Sequence, residues 1–334
     1  MSGTARFDVC GIGNAIVDVV VTISPAFLSA HDLPAGGMVL VDDSTAARLT
    51  SSAGSGLQAS GGSAANTMAG LASLGAAGAF IGKVRNDALG NTFGADLRSQ
   101  GVSFTTPALT AGPATARCLV LVTPDAQRTI VTFLGAAVQL GPDDVDPAIV
   151  NHSAVTYLEG YLFDPPQAKA AFRRAVELAH AAGQRVALTL SDPFCVARHR
   201  DDFLALVELG IDILFANEVE IESLLGTTDA AKIQARLASH CAITVVTCSE
   251  RGSVVISADA VHPIAAVHLG KLVDTTGAGD LYAAGFLHGL THGYSLPRCG
   301  TLASLCAAEA ISHYGARPKL SLQALADEHG LGAA

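Results

Sequence analysis

Short apolar runs occupy residues 154–158, 185–190, 211–215 and 242–247, each the length of a buried strand. Between them, residues 167–182, 196–209 and 231–240 place apolar positions at helical spacing. Strands that are apolar on both faces and separated by helices predict a mostly parallel sheet with helices covering both sides. The body of the chain therefore reads as a doubly wound α/β fold.

Two other regions carry no helical period. Residues 15–23 (Ala-Ile-Val-Asp-Val-Val-Val-Thr-Ile) and 37–42 are rich in β-branched side chains. Residues 117–123 and 128–134 read as two strands joined by Pro124-Asp125-Ala126-Gln127, a turn pattern. Together these pieces predict a small antiparallel β-sheet projecting from the body as a lid. The expected division is a large α/β domain over residues 1–13, 43–102 and 135–334, with a discontinuous β lid over 14–42 and 103–134.

Composition narrows the picture. The 334 residues are 50% hydrophobic and 15% charged, with mean hydropathy +0.41, the opposite of a disordered chain. A chain of this length buries enough surface to fold without disulfides or structural metal. Twenty Lys and Arg against thirty Asp and Glu give −10, which offers no basic footprint for nucleic acid or an anionic membrane. The charge-free stretch 49–82 is broken by Gly, Ser, Gln58 and Asn66, so it predicts no spanning helix. Near the start, Asp8 follows Arg6, and Gly11, Gly13 and Asn14 interrupt any signal-type apolar run. No signal peptide and a cytoplasmic location are expected. Seven scattered cysteines (Cys10, Cys118, Cys195, Cys241, Cys248, Cys299 and Cys306) fit neither a disulfide framework nor zinc spacing. They read as small buried apolar residues without a function.

Chemistry concentrates at Asp274-Thr275-Thr276-Gly277-Ala278-Gly279-Asp280, followed by an apolar helix over 281–290. A glycine loop that opens a helix presents unpaired N–H groups and the positive end of the helix dipole, a natural anion hole. Gly277 and Gly279, lacking Cβ, admit a phosphate close to the backbone. Asp280 at the hole is a carboxylate that can take the proton of an attacking hydroxyl, and the helix end is expected to keep it ionised. Positioning, charge stabilisation and a base are the parts that phosphoryl transfer needs. The chain has no P-loop sequence, because its Gly-Lys pairs at 82/83 and 270/271 lack the upstream pattern. Gly11-Ile12-Gly13 lacks the third glycine of a dinucleotide fingerprint. The eleven histidines form no His-Glu-x-x-His motif, and no Ser/His/Asp nucleophile elbow appears.

The segment Asp274–Asp280 resembles the signature of the ribokinase-like (PfkB) family of carbohydrate and nucleoside kinases. So does Gly61-Gly62-Ser63-Ala64-Ala65-Asn66, which runs through Leu74-Gly75 to Ile81-Gly82-Lys83-Val84. Asn217-Glu218-Val219-Glu220 is similar to the family's Asn-x-x-Glu motif, and the resemblance extends over essentially the whole chain. Gly13-Asn14-Ala15-Ile16-Val17-Asp18, Leu190-Ser191-Asp192-Pro193-Phe194 and residues 212–218 resemble the bacterial adenosine-kinase-like branch. The implied fold is ribokinase-like. The implied activity is ATP-dependent phosphorylation of a primary hydroxyl, of adenosine first and of a free sugar such as ribose or fructose as the alternative. A non-catalytic nucleotide-binding regulatory protein is the reading from another class.

The resemblance also implies roles. Asp18 would bind sugar hydroxyls, as an acid in an apolar β segment needs donors, with Asn14, Gly61, Gly62 and Asn66 meeting the same acceptor. Asp280 would be the catalytic base, with Gly277, Ala278 and Gly279 as the anion hole. Asn217, Thr247, Gly252, Thr275 and Thr276 would contact ATP, and Asn217 with Glu220 would hold Mg2+ through water. An N-terminal helix cap followed by a surface Glu has the same spacing as that pair. Residues 307–315 would close the adenine pocket, and a monovalent cation such as K+ would sit near them and Asp274. Two positions depart from the pattern: Ser249 stands where the nucleotide loop has its first glycine, and Thr189 where related adenosine kinases tend to have Asn. Partners are expected to be a small nucleoside or sugar, in a monomer or homodimer.

Overall fold

The structure, a computed structural model, describes residues 6–125 and 127–332. A nine-stranded sheet runs in the order Val261–Ile264, Ser253–Ser257, Ile243–Thr247, Ile213–Asn217, Arg185–Thr189, Ser153–Glu159, Phe7–Ile12, Gly78–Ile81 and Ser103–Phe104. Pairing is parallel from Ile243–Thr247 to Ser103–Phe104, and the other two strands close one edge antiparallel. Along Arg185–Thr189, Val186 and Leu188 join one core and Ala187 the other, which is why these strands read as unbroken apolar runs. Helix Pro166–Ala181 packs into the first core, and helices Ser63–Ser73 and Ala278–Thr291 into the second.

Phe7–Ile12 pairs with Ser153–Glu159 on one side and Gly78–Ile81 on the other, with Ile12 opposite Leu158. Strand order therefore turns at this point, and such switch points open a crevice beyond the carboxyl ends of the strands. Gly13, Asn14 and Glu159 all lie at that end.

The second sheet is Met38–Leu40, Arg128–Phe133, Ala116–Val122, Ile16–Thr22 and Leu57–Gly61. It is mixed rather than antiparallel. Ile16–Thr22 pairs parallel to Ala116–Val122, and Met38–Leu40 parallel to Arg128–Phe133. Its fifth strand, Leu57–Gly61, lies in the stretch expected within the body, whereas Ser103–Phe104, expected in the lid, is an edge strand of the large sheet. Of the expected turn, Ala126 lies outside the described residues.

The helix expected over 196–209 is two, Pro193–Arg198 and Arg200–Gly210, because His199 leaves helical geometry at φ −123°. Its ring lies between Asp164 (Nε2 to Oδ1, 2.7 Å) and Lys169, whose Nζ is 3.1 Å from Nδ1. All seven cysteines are free, six buried and Cys118 half-buried. Among the described residues no helix is long and apolar enough to cross a membrane.

Candidate active site

The glycine loop and the Gly61–Gly62 turn meet at one point. Gly277 caps helix Ala278–Thr291 at φ +81°, and a Cβ there would press on Ala316 at 2.6 Å, so both conformation and space select glycine. A Cβ on Gly279 would meet no heavy atom within 4 Å; it would project into open space beside the helix end. Among the described residues the Gly277 and Gly279 N–H groups have no backbone acceptor, while the Ala278 N–H donates to Thr275 O at 3.2 Å. The hole is thus open at the two glycines and partly filled at Ala278.

Asp280, in the first turn of that helix, is held from across the crevice. Ser63 Oγ donates to its Oδ1 at 2.7 Å and Asn66 Nδ2 to its Oδ2 at 2.9 Å. Burial pushes its carboxyl above the usual range, against the pull of Ser63, Asn66 and Arg317. Loss of water displaces this carboxyl upward, opposite to the pull expected from the helix end. A base nearer the working pH is better matched to taking a hydroxyl proton.

A second group of polar residues stands at the switch point. Glu159 is buried (1% exposed) and accepts from Asn14 Nδ2 at 2.7 Å and Asn14 N at 3.3 Å through Oε1. Its Oε2 accepts from Ala64 N at 2.8 Å, capping helix Ser63–Ser73. A Cβ on Gly13 would lie 2.2 Å from that oxygen, so the strand can leave past Glu159 only as glycine. Burial pushes Glu159 up to about 7 despite these three donors. Asn14 Oδ1 and Asn66 Oδ1 are buried without a partner, two acceptors available to ligand hydroxyls. Asp18, in Ile16–Thr22, is pushed up to about 6 by burial, with Arg317 pulling down and Asp280 pushing up. Its carboxylate fills the space over Gly61, where a Cβ would come within 2.4 Å of Oδ2. Gly62 turns at φ +97° against Asn14 O.

Asn217 and Glu220 close on each other as a capping box. Asn217 Oδ1 accepts from Glu220 N (2.9 Å), and Glu220 accepts from Asn217 N (3.0 Å) and Nδ2 (2.7 Å). The cap reading of their spacing holds, but Glu220 is buried rather than on the surface, and burial lifts its carboxyl to about 7. Each Glu220 oxygen already accepts one bond and keeps a lone pair, a donor set that suits a water-bridged ion better than direct ligation. Thr247 ends its strand with Oγ1 toward Ala216 O (3.5 Å). Ser249 adopts φ +52°, the left-handed backbone that a glycine in that place supplies freely. Gly252 turns at φ +90°, where a Cβ would strike Ile264 O at 2.0 Å. Thr189 stands opposite Glu159 in the sheet. Thr275 is exposed, and Thr276 is spent on Asp274 through N and Oγ1.

Asp274 does not fit a monovalent cation. Its four acceptor positions are taken by Thr276 N (3.2 Å), Thr276 Oγ1 (2.8 Å), Gly315 N (3.0 Å) and the Arg128 guanidinium. Burial raises this carboxyl, yet the donors and Arg128 together hold it below the usual range. Among the described residues no group of three or more His, Cys, Asp or Glu could hold a metal ion.

Sequence reasoning missed Ser63, Glu159, Arg128 and Arg317. Glu159 left a signal, as an acid ending an apolar strand at the carboxyl edge of a parallel sheet. Arg128 joins the small sheet to the glycine loop and lies 5.0 Å from the Tyr314 ring; nothing local in the sequence marks it.

Comparison with known proteins places this geometry. The family pattern described as pfkB family carbohydrate kinase matches residues 39–322. The crystal structure of a probable sugar kinase protein from Rhizobium etli CFN 42 is 45% identical, with a TM-score of 0.89 over 98% of this chain and 100% of that one. That of adenosine kinase from Sinorhizobium meliloti is 48% identical, with a TM-score of 0.87 over 97% and 100%. Adenosine kinase of Saccharomyces cerevisiae is 27% identical over 330 residues, 91% of this chain and 94% of that protein.

Proposed function

The chain belongs to the pfkB family of carbohydrate kinases and is a phosphotransferase acting on a hydroxyl group, and we propose that its acceptor is the 5′-hydroxyl of adenosine, with ATP as donor. The observation that carries this is the 48% identity, over nearly all of both chains, to a protein described as an adenosine kinase. The site agrees in kind: Asp18, Asn14 Oδ1 and Asn66 Oδ1 offer acceptors to a ribose diol.

In the proposed reaction Asp280 removes the proton of the 5′-hydroxyl as its oxygen bonds to the γ-phosphorus of ATP. The bond from that phosphorus to the bridging oxygen breaks, ADP leaves with the electron pair, and AMP forms. The Gly277 and Gly279 N–H groups stabilise charge on the transferring phosphoryl group. Mg2+, when bound, neutralises phosphate charge, and Glu220 with Asn217 would hold it through water. Closure of the small sheet over the acceptor excludes water that competes for the phosphoryl group.

The 45% identity to a probable sugar kinase supports a second reading, phosphorylation of a free sugar. A coupled ADP-release assay across adenosine, other nucleosides, ribose and fructose separates the two. The proposal expects adenosine to give the highest kcat/KM. Preference for ribose or fructose overturns the acceptor, and no acceptor-dependent ADP from any of them favours a binding-only protein.

A further inference from the structure

Arg317 lies in the loop between helices Leu296–Ala310 and Leu322–Glu328, outside every motif noted in the sequence. Its Nη2 donates to Ser60 O at 2.8 Å and Ser60 Oγ at 2.9 Å, and its Nη1 to Gln100 Oε1 at 2.9 Å. Ser60 is fixed from its other side by Asp96 Oδ2, which accepts from Ser60 N (2.7 Å) and Oγ (2.6 Å). The guanidinium thus pins the last residues of strand Leu57–Gly61 to helix Ala88–Ser99. That strand runs through Gly62 into the helix whose Ser63 and Asn66 hold Asp280.

All three acceptors of the Arg317 guanidinium are neutral atoms, and among the described residues Arg317 forms no direct ion pair. Its charge therefore acts at longer range, across the half-buried crevice. Asp18, Asp96 and Asp280 all feel it. The other polar groups around these acids are Ser63 and Asn66 on the helix, Tyr157 and Glu159 on the central strand, Tyr161 just beyond it, and Cys118 beside Asp18. None of these is a cation.

We propose that Arg317 is a positioning residue for phosphoryl transfer: it fixes the Ser60–Gly62 turn that aims Ser63 and Asn66 at Asp280, and it is the counter-charge that lets Asp18 and Asp280 ionise side by side. Without it, two acids share one crevice with no opposing charge, and each ionises at the other's expense. The inference rests on the proposed role of Asp280 but is tested separately from it.

The experiment follows the carboxyl carbons of Asp280 and Asp18 by 13C NMR titration, together with kcat against pH, in Arg317→Gln and Arg317→Lys. Loss of an opposing charge raises a carboxyl pKa, so Arg317→Gln is expected to move both titrations upward by roughly 1 pH unit or more. The acid limb of kcat should move alkaline with Asp280. Arg317→Lys keeps the charge and should titrate near the parent, while its kcat falls because Ser60 and Gln100 are no longer both held. Arg317→Met, which keeps the aliphatic stem, repeats the test should the glutamine variant not fold. A folded neutral variant whose Asp18 and Asp280 titrate as in the parent overturns the inference. An upward carboxyl titration that the kcat limb does not follow upholds the Arg317 inference and counts instead against Asp280 as the base.

Discussion

Asn66 Nδ2 donates to Asp280 Oδ2 at 2.9 Å across 214 residues of chain, joining helix Ser63–Ser73 to the start of helix Ala278–Thr291. The two strongest sequence motifs are thereby parts of one device. Asn66 holds the base with its nitrogen and leaves its buried oxygen open to a ligand. Asn66→Ala is expected to lower kcat and raise acceptor KM together, by ~10-fold or more combined, because it removes a bond to a charged group. Steady-state kinetics check this; a change confined to nucleotide KM contradicts it.

Under the proposed function, Asp18 faces the same acceptor from the small sheet. Asp18→Ala should weaken acceptor use by about 1.5–3 kcal/mol, the range for hydrogen bonds to a charged group. A 2′,3′-dideoxy nucleoside should erase most of the difference between parent and variant. An unchanged acceptor KM for every hydroxyl pattern would make Asp18 structural.

Stability should depend on pH in an unusual direction. Burial lifts Asp18 to about 6 and Glu159 and Glu220 to about 7, whereas unfolded carboxyls titrate near ~4. Between these values the native state holds protons that the unfolded chain has lost. The associated stability is full at the acid end of the window and declines as pH rises through 6 to 7. Melting temperature of the ligand-free protein is expected to fall from about pH 5 to about pH 7.5, and Glu159→Gln to flatten the slope. A melting temperature that rises across that window contradicts the burial argument.

Arg128 ties strand Arg128–Phe133 to Asp274 at the foot of the glycine loop. If the small sheet closes over the acceptor, adenosine should protect amides of Ala116–Val122 and Arg128–Phe133 from hydrogen exchange more than ATP alone does. Arg128→Met should lessen that protection. Equal protection by ATP alone would remove acceptor-driven closure.

Much of the fold was legible because the body strands are apolar on both faces; residues 154–158 and 185–190 differ from the observed strands only at their ends. Leu57–Gly61 was not, since Leu-Gln-Ala-Ser-Gly has weak strand preference and is extended through its pairing with Ile16–Thr22. The break at His199 was hidden for a similar reason, as it depends on Asp164 and Lys169 from other elements. In the site, the backbone features were readable: glycines at forced conformations and an acid at a helix start. The guanidinium groups were not. Arg317 reaches Ser60 across 257 residues and Arg128 reaches Asp274 across 146, and no local spacing encodes either contact. Burial was also invisible, which is why the upward displacement of the Asp280 carboxyl was not expected.

Gly279 separates phosphate approach from proton transfer. A Cβ there enters open space beside the free N–H groups, so Gly279→Val should fold normally and lose nucleotide affinity and kcat together. Calorimetric ATP binding checks this, and unchanged affinity contradicts a phosphate at that point.

The account stands most directly on the role of Asp280. Asp280→Asn keeps the size of the side chain and an oxygen for one of its two donors, but it cannot take the hydroxyl proton. The measurement is kcat of that variant with saturating ATP and adenosine, in a preparation shown to be folded by circular dichroism. The expected result is a fall of ~10²–10⁴-fold with ATP affinity little changed, the usual worth of a general base. A kcat within a few-fold of the parent would place the base elsewhere and contradict the mechanism.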